Sequence, residues 1–143
     1  MQISIREAQK SDYLAISNLV KNELGYNDIN FDTLFARLEK MELSDNHATF
    51  VATDNEQVVG FIGLLKYITY EVDGYVRILT MAVSRRYQSN GIGSELLIHA
   101  EQYARNNNIA TIMLTSNEKR LQTHKFYEQN GYVKKSYGFF KNI

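Results

Sequence analysis

A strand-like run, a turn holding two glycines and a helix-like run follow one another between residues 76 and 100, and this junction constrains the chain more than any other feature. Val76-Arg77-Ile78-Leu79-Thr80-Met81-Ala82-Val83 is apolar and rich in β-branched residues, as a buried strand requires. Gln88-Ser89-Asn90-Gly91-Ile92-Gly93 follows. Then Ser94-Glu95-Leu96-Leu97-Ile98-His99-Ala100 places its apolar residues at helical spacing. A helix start leaves several backbone N–H groups without acceptors. Glycine lets a ligand approach the main chain, and the positive end of the helix dipole favours an anion. The turn therefore reads as a cradle for a phosphorylated ligand, and the plain alternative is a strand-to-helix turn with glycines for geometry.

Spacing narrows the choice. A dinucleotide fingerprint needs a third glycine where Leu96 stands, and a Walker-type loop needs Gly-Lys where Gly93-Ser94-Glu95 stands. The arrangement Gln-x-x-Gly-x-Gly after a strand instead resembles the pyrophosphate loop of the GNAT acetyltransferase superfamily, which binds acetyl-coenzyme A. Leu121-Gln122-Thr123-His124-Lys125-Phe126-Tyr127-Glu128-Gln129-Asn130-Gly131-Tyr132 resembles the same superfamily's late helix. That helix carries Phe-Tyr near its end and then Gly-Phe or Gly-Tyr. Gly131 is placed to end it in a left-handed cap. The resemblance runs from about Ser4 to the C-terminus.

Composition sets the remaining bounds. The length of 143 residues suits one domain, 1–143, with a sizeable core. The absence of cysteine excludes disulfides, thiolate metal sites and a cysteine nucleophile. His47, His99 and His124 show no ligand spacing, so no metal is expected. No apolar run approaches a membrane span, and the N-terminus alternates like a strand rather than a signal peptide, so a cytoplasmic location is expected. Net charge is zero but unevenly spread. Residues 1–74 hold 6 basic and 12 acidic residues, a balance of −6; residues 75–143 hold 10 and 4, a balance of +6. The basic part suits an anionic cofactor and the acidic part a cationic amine, unless these charges merely solvate opposite surfaces. Neutrality argues against a nucleic-acid partner.

Along the chain, a first strand ends at Arg6. Ser11 is positioned to cap a helix running to about Leu24, with Gly25 as its stop. Phe31, Leu34, Phe35, Leu38 and Met41 form the stripe of a second helix capped by Asn30. Residues 48–53 and 57–70 read as strands joined at Asp54-Asn55, and Asp73-Gly74 is a hairpin signal before a strand ending at Ser84. The helix after the glycine turn ends in Asn106-Asn107-Asn108, a strand spans 109–115, and the tail from Tyr132 to Lys141 reads as one or two short strands. This order is that of a layered α/β domain. The resemblance implies the acyl-CoA N-acyltransferase fold, with a mixed central sheet of about six to seven strands and about four helices.

It also implies direct transfer of acetyl from acetyl-coenzyme A to a primary amine of a small molecule, with a homodimer left open. Lack of cysteine agrees with direct transfer. Cofactor contacts then fall to the backbone of Gln88, Ser89, Asn90, Gly91, Ile92, Gly93 and Ser94, to main-chain groups of Met81, Ala82 and Val83, to Asn117 and to Tyr127, with Arg85 and Arg86 near the phosphates. Tyr127 is the candidate general acid, because a phenol stays protonated at neutral pH and can donate to a thiolate. Many superfamily members place a glutamate where this chain has Arg77. Glu71 and Glu23 are the substitutes as general base. Arg120 and Thr123 replace an asparagine and an alanine of the superfamily's late helix, and His124 reads as a helix-orienting residue. Two other readings remain: a non-catalytic acyl-coenzyme A sensor, or an acetyltransferase of protein lysines or N-termini.

Overall fold

The strand–turn–helix junction forms as its pattern demands, inside a larger α/β unit. A computed structural model describes residues 1–143, which divide into a unit of Met1–Met113 and a unit of Leu114–Ile143. The first holds β1 (Ile3–Glu7), α1 (Tyr13–Leu24), α2 (Phe31–Glu42), β2 (His47–Asp54), β3 (Gln57–Tyr67), β4 (Tyr75–Val83), α3 (Ile92–Asn106) and β5 (Ile112–Met113). The second holds α4 (Leu121–Gln129). Short 3-10 turns at Lys10–Asp12 and Arg85–Tyr87 lead towards α1 and α3.

The sheet order is β1-β2-β3-β4-β5, antiparallel until β5, which runs parallel to β4. α1 and α2 cover one face through Ile16, Leu19, Leu34 and Leu38, packed with Val51, Phe61 and Ala82. On the other face Phe50 of β2 meets His99 of α3 edge-on at 4.5 Å between ring centroids, and Leu96, Leu97 and Ala100 of α3 are buried. These faces follow from the two-residue period of strands. In β4 that period is broken. Leu64 pairs with Ile78 but Gly63 pairs with Thr80, so Leu79 is an extra residue, a β-bulge. Ile78 therefore shares the face of Leu64, while Ala82, opposite Phe61, faces α1 and α2.

Several caps match their sequence signals. Gly25 ends α1 at φ 79°, and the Asn30 side chain accepts from the N–H groups of Asp32 and Thr33. Others differ. Ser11 lies inside the 3-10 turn, and Asp12 is the N-cap of α1, so the helix begins later than Ser11 predicts. Asn55 and Glu56, both at positive φ, make the tight turn between β2 and β3. β3 stops at Tyr67, and residues 68–74 form a longer connection than a two-residue hairpin. There the Thr69 hydroxyl accepts from the N–H groups of Glu71 and Val72.

The sheet has five strands rather than six or seven. β5 is only two residues long, and residues 133–143 form no strand. A strand exists through hydrogen bonds to a neighbour, and the backbone of 133–143 makes none.

In the second unit, α4 ends in a Schellman motif. Gly131 sits at φ 90°, its N–H donates to Glu128 O at 3.1 Å, and the Tyr132 N–H donates to Tyr127 O at 3.0 Å.

Candidate cofactor site and active site

The cradle starts with the end of β4. After Val83 the chain makes the 3-10 turn Arg85–Tyr87 and then the loop from Gln88 to Gly91. Ser89 has φ 65° and Gly91, the N-cap of α3, has φ 80°. Side chains of the loop hold its carbonyls inward. Gln88 Nε2 donates to Val83 O at 3.0 Å, and Asn90 Nδ2 donates to Tyr87 O at 3.1 Å and to Gln88 O at 3.2 Å. The main-chain N–H groups from Ser89 to Ser94 find no acceptor; the first such bond of α3 runs from the Glu95 N–H to Gly91 O. A Cβ added to Gly91 would meet nothing within 4 Å, so the space in front of the loop is open. A run of free donors at the positive end of a four-turn helix is an anion site.

Sequence reasoning missed what steadies this loop. Tyr87 donates its phenol hydrogen to Asp54 Oδ2 at 2.9 Å, and the Gln2 N–H donates to Asp54 Oδ1 at 2.9 Å. The backbone N–H of Gln2 first, and Tyr87 second, hold the Asp54 carboxyl below its ordinary range; the same bond pushes the Tyr87 phenol up. Asp54 stands at a strand end and reads as a turn residue, so no sequence signal pairs it with Tyr87, 33 positions away.

β4 supplies a second surface. β5 pairs with it only at Val76↔Ile112 and Arg77↔Met113. The Leu79 bulge follows at once, and the outer edge of Met81, Ala82 and Val83 carries no strand. An exposed edge of this kind accepts an extended ligand as it would another strand.

Tyr127 lies on α4, in the second unit. Its ring packs edge-on against Phe126 at 5.3 Å and against Tyr132 at 5.7 Å. The Tyr132 contact belongs to the Schellman motif, so the helix terminus fixes the ring. Burial pushes the Tyr127 phenol above its ordinary value, with Arg120 acting in the opposite direction. The phenol is thus a proton donor at neutral pH. Asn117 shapes the turn before α4. Its carbonyl accepts from the Arg120 N–H at 3.0 Å and from His124 Nε2 at 2.8 Å, and its Oδ1 accepts from the Lys119 N–H at 2.9 Å. A carbonyl partner requires His124 Nε2 to carry the proton. His124 therefore ties α4 to the turn before it, while its buried Nδ1 has no partner.

The two glutamates are far apart along the first unit. Glu23 is half-buried near the end of α1. Glu71 is exposed in the connection that precedes β4, whereas the cradle follows β4. At about 3.3 Å per residue the strand puts roughly 26 Å between those two ends. No cluster of three or more His, Asp or Glu side chains is gathered anywhere, and no helix is long and apolar enough to cross a membrane.

Comparison with known proteins agrees with this geometry. The profile of the acetyltransferase (GNAT) family matches residues 5–132. The chain is 32% identical over 138 residues to an aminoalkylphosphonate N-acetyltransferase of Salmonella typhimurium strain LT2, covering 96% of this chain and 86% of that protein. It is similar to a GNAT family acetyltransferase of Staphylococcus aureus at 28% identity, with a TM-score of 0.82 and full coverage of both chains. The fold alone is shared with the aminoglycoside N-acetyltransferase AAC(6')-Iy, solved in complex with CoA, at 16% identity and a TM-score of 0.90 over 99% of this chain and 95% of that one. The family profile crosses both units and the Salmonella relative aligns along nearly the whole length, so this chain belongs to the acetyltransferase (GNAT) family and is an acyltransferase enzyme.

Proposed function

We propose that the chain, acting as a single domain over 1–143, transfers acetyl from acetyl-coenzyme A directly to the primary amine of a small cationic molecule. The observation that carries this reading is the run of unpartnered N–H groups from Ser89 to Ser94 ahead of α3. These donors fit a pyrophosphate, and the strand-free edge of Met81 to Val83 fits the amide-bearing arm that follows it. Acetyl-coenzyme A supplies an activated acyl group on a thiol that leaves. Tyr127 donates its proton to that thiol's sulfur as charge develops there, its phenol being protonated at neutral pH. Asn117 offers its amide nitrogen to the cofactor, its oxygens being engaged in the turn. Glu71 and Glu23 are the two carboxylates offered to take the amine's proton through water.

A cationic acceptor is supported by the balance of −6 over residues 1–74. The name of the Salmonella relative favours a second reading, an amine that carries a phosphonate.

The test is an amine panel that follows release of free thiol from acetyl-coenzyme A. Polyamines and amino sugars should be turned over faster than aminoalkylphosphonates, and their kcat/KM should fall with salt as exposed attraction is screened. Faster, salt-insensitive acetylation of an aminoalkylphosphonate would replace the cationic acceptor by the second reading. No thiol release with any amine would overturn the proposal. Tyr127→Phe should bind cofactor normally and lower kcat on the order of 10²; an unchanged kcat would leave Tyr127 a packing residue.

A further inference from the structure

The cradle is a stretch of open backbone, and its donors face a ligand only while the loop from Gln88 to Gly91 keeps one conformation. Within it Ser89 sits at φ 65° and Gly91 at φ 80°. Gly91 adopts that angle without penalty, but Ser89 carries a Cβ and does so at a cost. A residue in such a conformation persists where its surroundings over-determine it.

Those surroundings converge on Tyr87. Its N–H donates to Ser84 O at 2.8 Å, its carbonyl accepts from Asn90 Nδ2 at 3.1 Å, and its phenol donates to Asp54 Oδ2 at 2.9 Å. The first two bonds stay within the turn and the loop. The third leaves them, because Asp54 ends β2 and is paired with Ile3 of β1 and Gln57 of β3. Behind Tyr87, the Ser84 N–H donates to Val59 O on β3 at 2.8 Å. The segment that leads into the cradle is thus fastened to the sheet twice, by backbone at Ser84 and by side chain at Tyr87. Asp54 is itself fixed, since its Oδ1 accepts from the Gln2 N–H at 2.9 Å. Hydrogen bonds to an ionised acceptor are of the stronger kind. A carboxylate one tyrosine away from an anion site opposes the ligand by charge, so what Asp54 adds to binding is geometry.

We propose that Tyr87 and Asp54 are positioning residues for acetyl-coenzyme A. The bond between them holds the loop with its N–H groups outward before the cofactor arrives, so the loop is ordered during folding rather than on binding. The inference rests on the cradle being the cofactor's site, and neither side chain is asked to touch the cofactor. Its effect falls on binding and not on acetyl transfer.

Tyr87→Phe removes only the phenol hydroxyl, and Asp54→Ala removes its acceptor. Calorimetry with acetyl-coenzyme A and kinetics with the cofactor varied test the pair, with circular dichroism to verify folding. Each variant should raise Kd and KM for acetyl-coenzyme A about fivefold, the scale of one hydrogen bond, and leave kcat at saturating cofactor as in the wild type. The double variant should bind no more weakly than either single one, because both remove the same bond. If Asp54→Ala loses its fold, Tyr87→Phe alone decides. An unchanged Kd in Tyr87→Phe overturns the proposal, and so do losses that add in the double variant or that appear in kcat instead. Gly91→Val separates this failure from failure of the cradle. If Gly91→Val binds poorly while Tyr87→Phe binds normally, the cradle stands and the positioning role falls. If both bind as the wild type does, the cofactor's site lies elsewhere and the proposal falls with it.

Discussion

α2 and α3 each begin with main-chain N–H groups that no helical carbonyl can accept, yet only α2 supplies an acceptor of its own. Asn30 stands in extended conformation ahead of α2, and its side-chain oxygen takes two of those hydrogens, at 2.8 and 3.2 Å. Gly91, ahead of α3, has no side chain to offer, and the polar residues before it turn their amides back onto carbonyls of the loop. One terminus is closed by its own sequence; the other is kept open and shaped. A helix start left uncapped in this way gives up stability of about 1 kcal/mol, and the natural use of such a terminus is to receive that acceptor from a ligand. α1 lies between the extremes. Its N-cap Asp12 makes no cap bond to α1 itself, because its oxygens accept from Arg6 at 2.7 and 3.0 Å and from the Gln9 N–H at 2.8 Å.

The largest expected effect comes from spoiling the open terminus. Gly91→Val places a β-branched residue at φ 80° and a side chain over the donors. Acetyl-coenzyme A affinity measured by calorimetry should fall at least tenfold, about 1.4 kcal/mol. A Cβ at 91 meets nothing in the free protein, so a loss of stability with affinity intact would assign the glycine to backbone geometry alone. The closed terminus should respond in the opposite manner. Asn30→Ala should lower folding stability by about 1 kcal/mol in urea unfolding and leave cofactor affinity unchanged; a drop in affinity would mean that the two termini are not independent. The smallest effect belongs to α1. Arg6 first, then the Gln9 N–H, hold the Asp12 carboxyl below its ordinary range against the effect of burial. Since its folded pKa lies below the unfolded value of about 3.9, the pair's contribution is complete above that value and is lost as pH falls through the folded one. Arg6 is 37% exposed on its side chain, so solvent screening limits the pair to about 0.5 kcal/mol. Asp12→Asn should therefore cost that amount at neutral pH, and its deficit against wild type should shrink below about pH 4. A deficit constant with pH would show that the charge contributes nothing.

Local chemistry was readable in the sequence where one residue suffices to fix one conformation. Asn30, Gly25 and Gly131 each mark a helix end, and each does so in the structure. The glycine loop was readable for the same reason, since Gly91 must adopt a left-handed conformation between a strand and a helix. What depends on a partner far along the chain was not. The strand-like tail from Tyr132 has β-forming residues but no neighbour to bond, so propensity alone does not make it a strand. Ser11 is taken into the 3-10 turn Lys10–Asp12 ahead of α1, a turn whose Asp12 carboxylate is bonded to Arg6 on β1. Tyr87 and Asp54 steady the cradle across a separation that no local pattern encodes. The Leu79 bulge is hidden inside a run that is apolar throughout, and only the pairing with β3 exposes it.

That bulge gives β4 two reading frames. Before Leu79, the even-numbered residues Val76 and Ile78 share one face; after it, Ala82 faces the other side. A deletion of Leu79 would leave both frames in place, because Ile78 would stay opposite Leu64, Thr80 opposite Gly63 and Ala82 opposite Phe61. What would be lost is the local kink and added twist that an extra residue gives a strand. The bulge therefore sets the line of the strand's outer edge rather than its register, and the edge of Met81 to Val83 takes its direction from it.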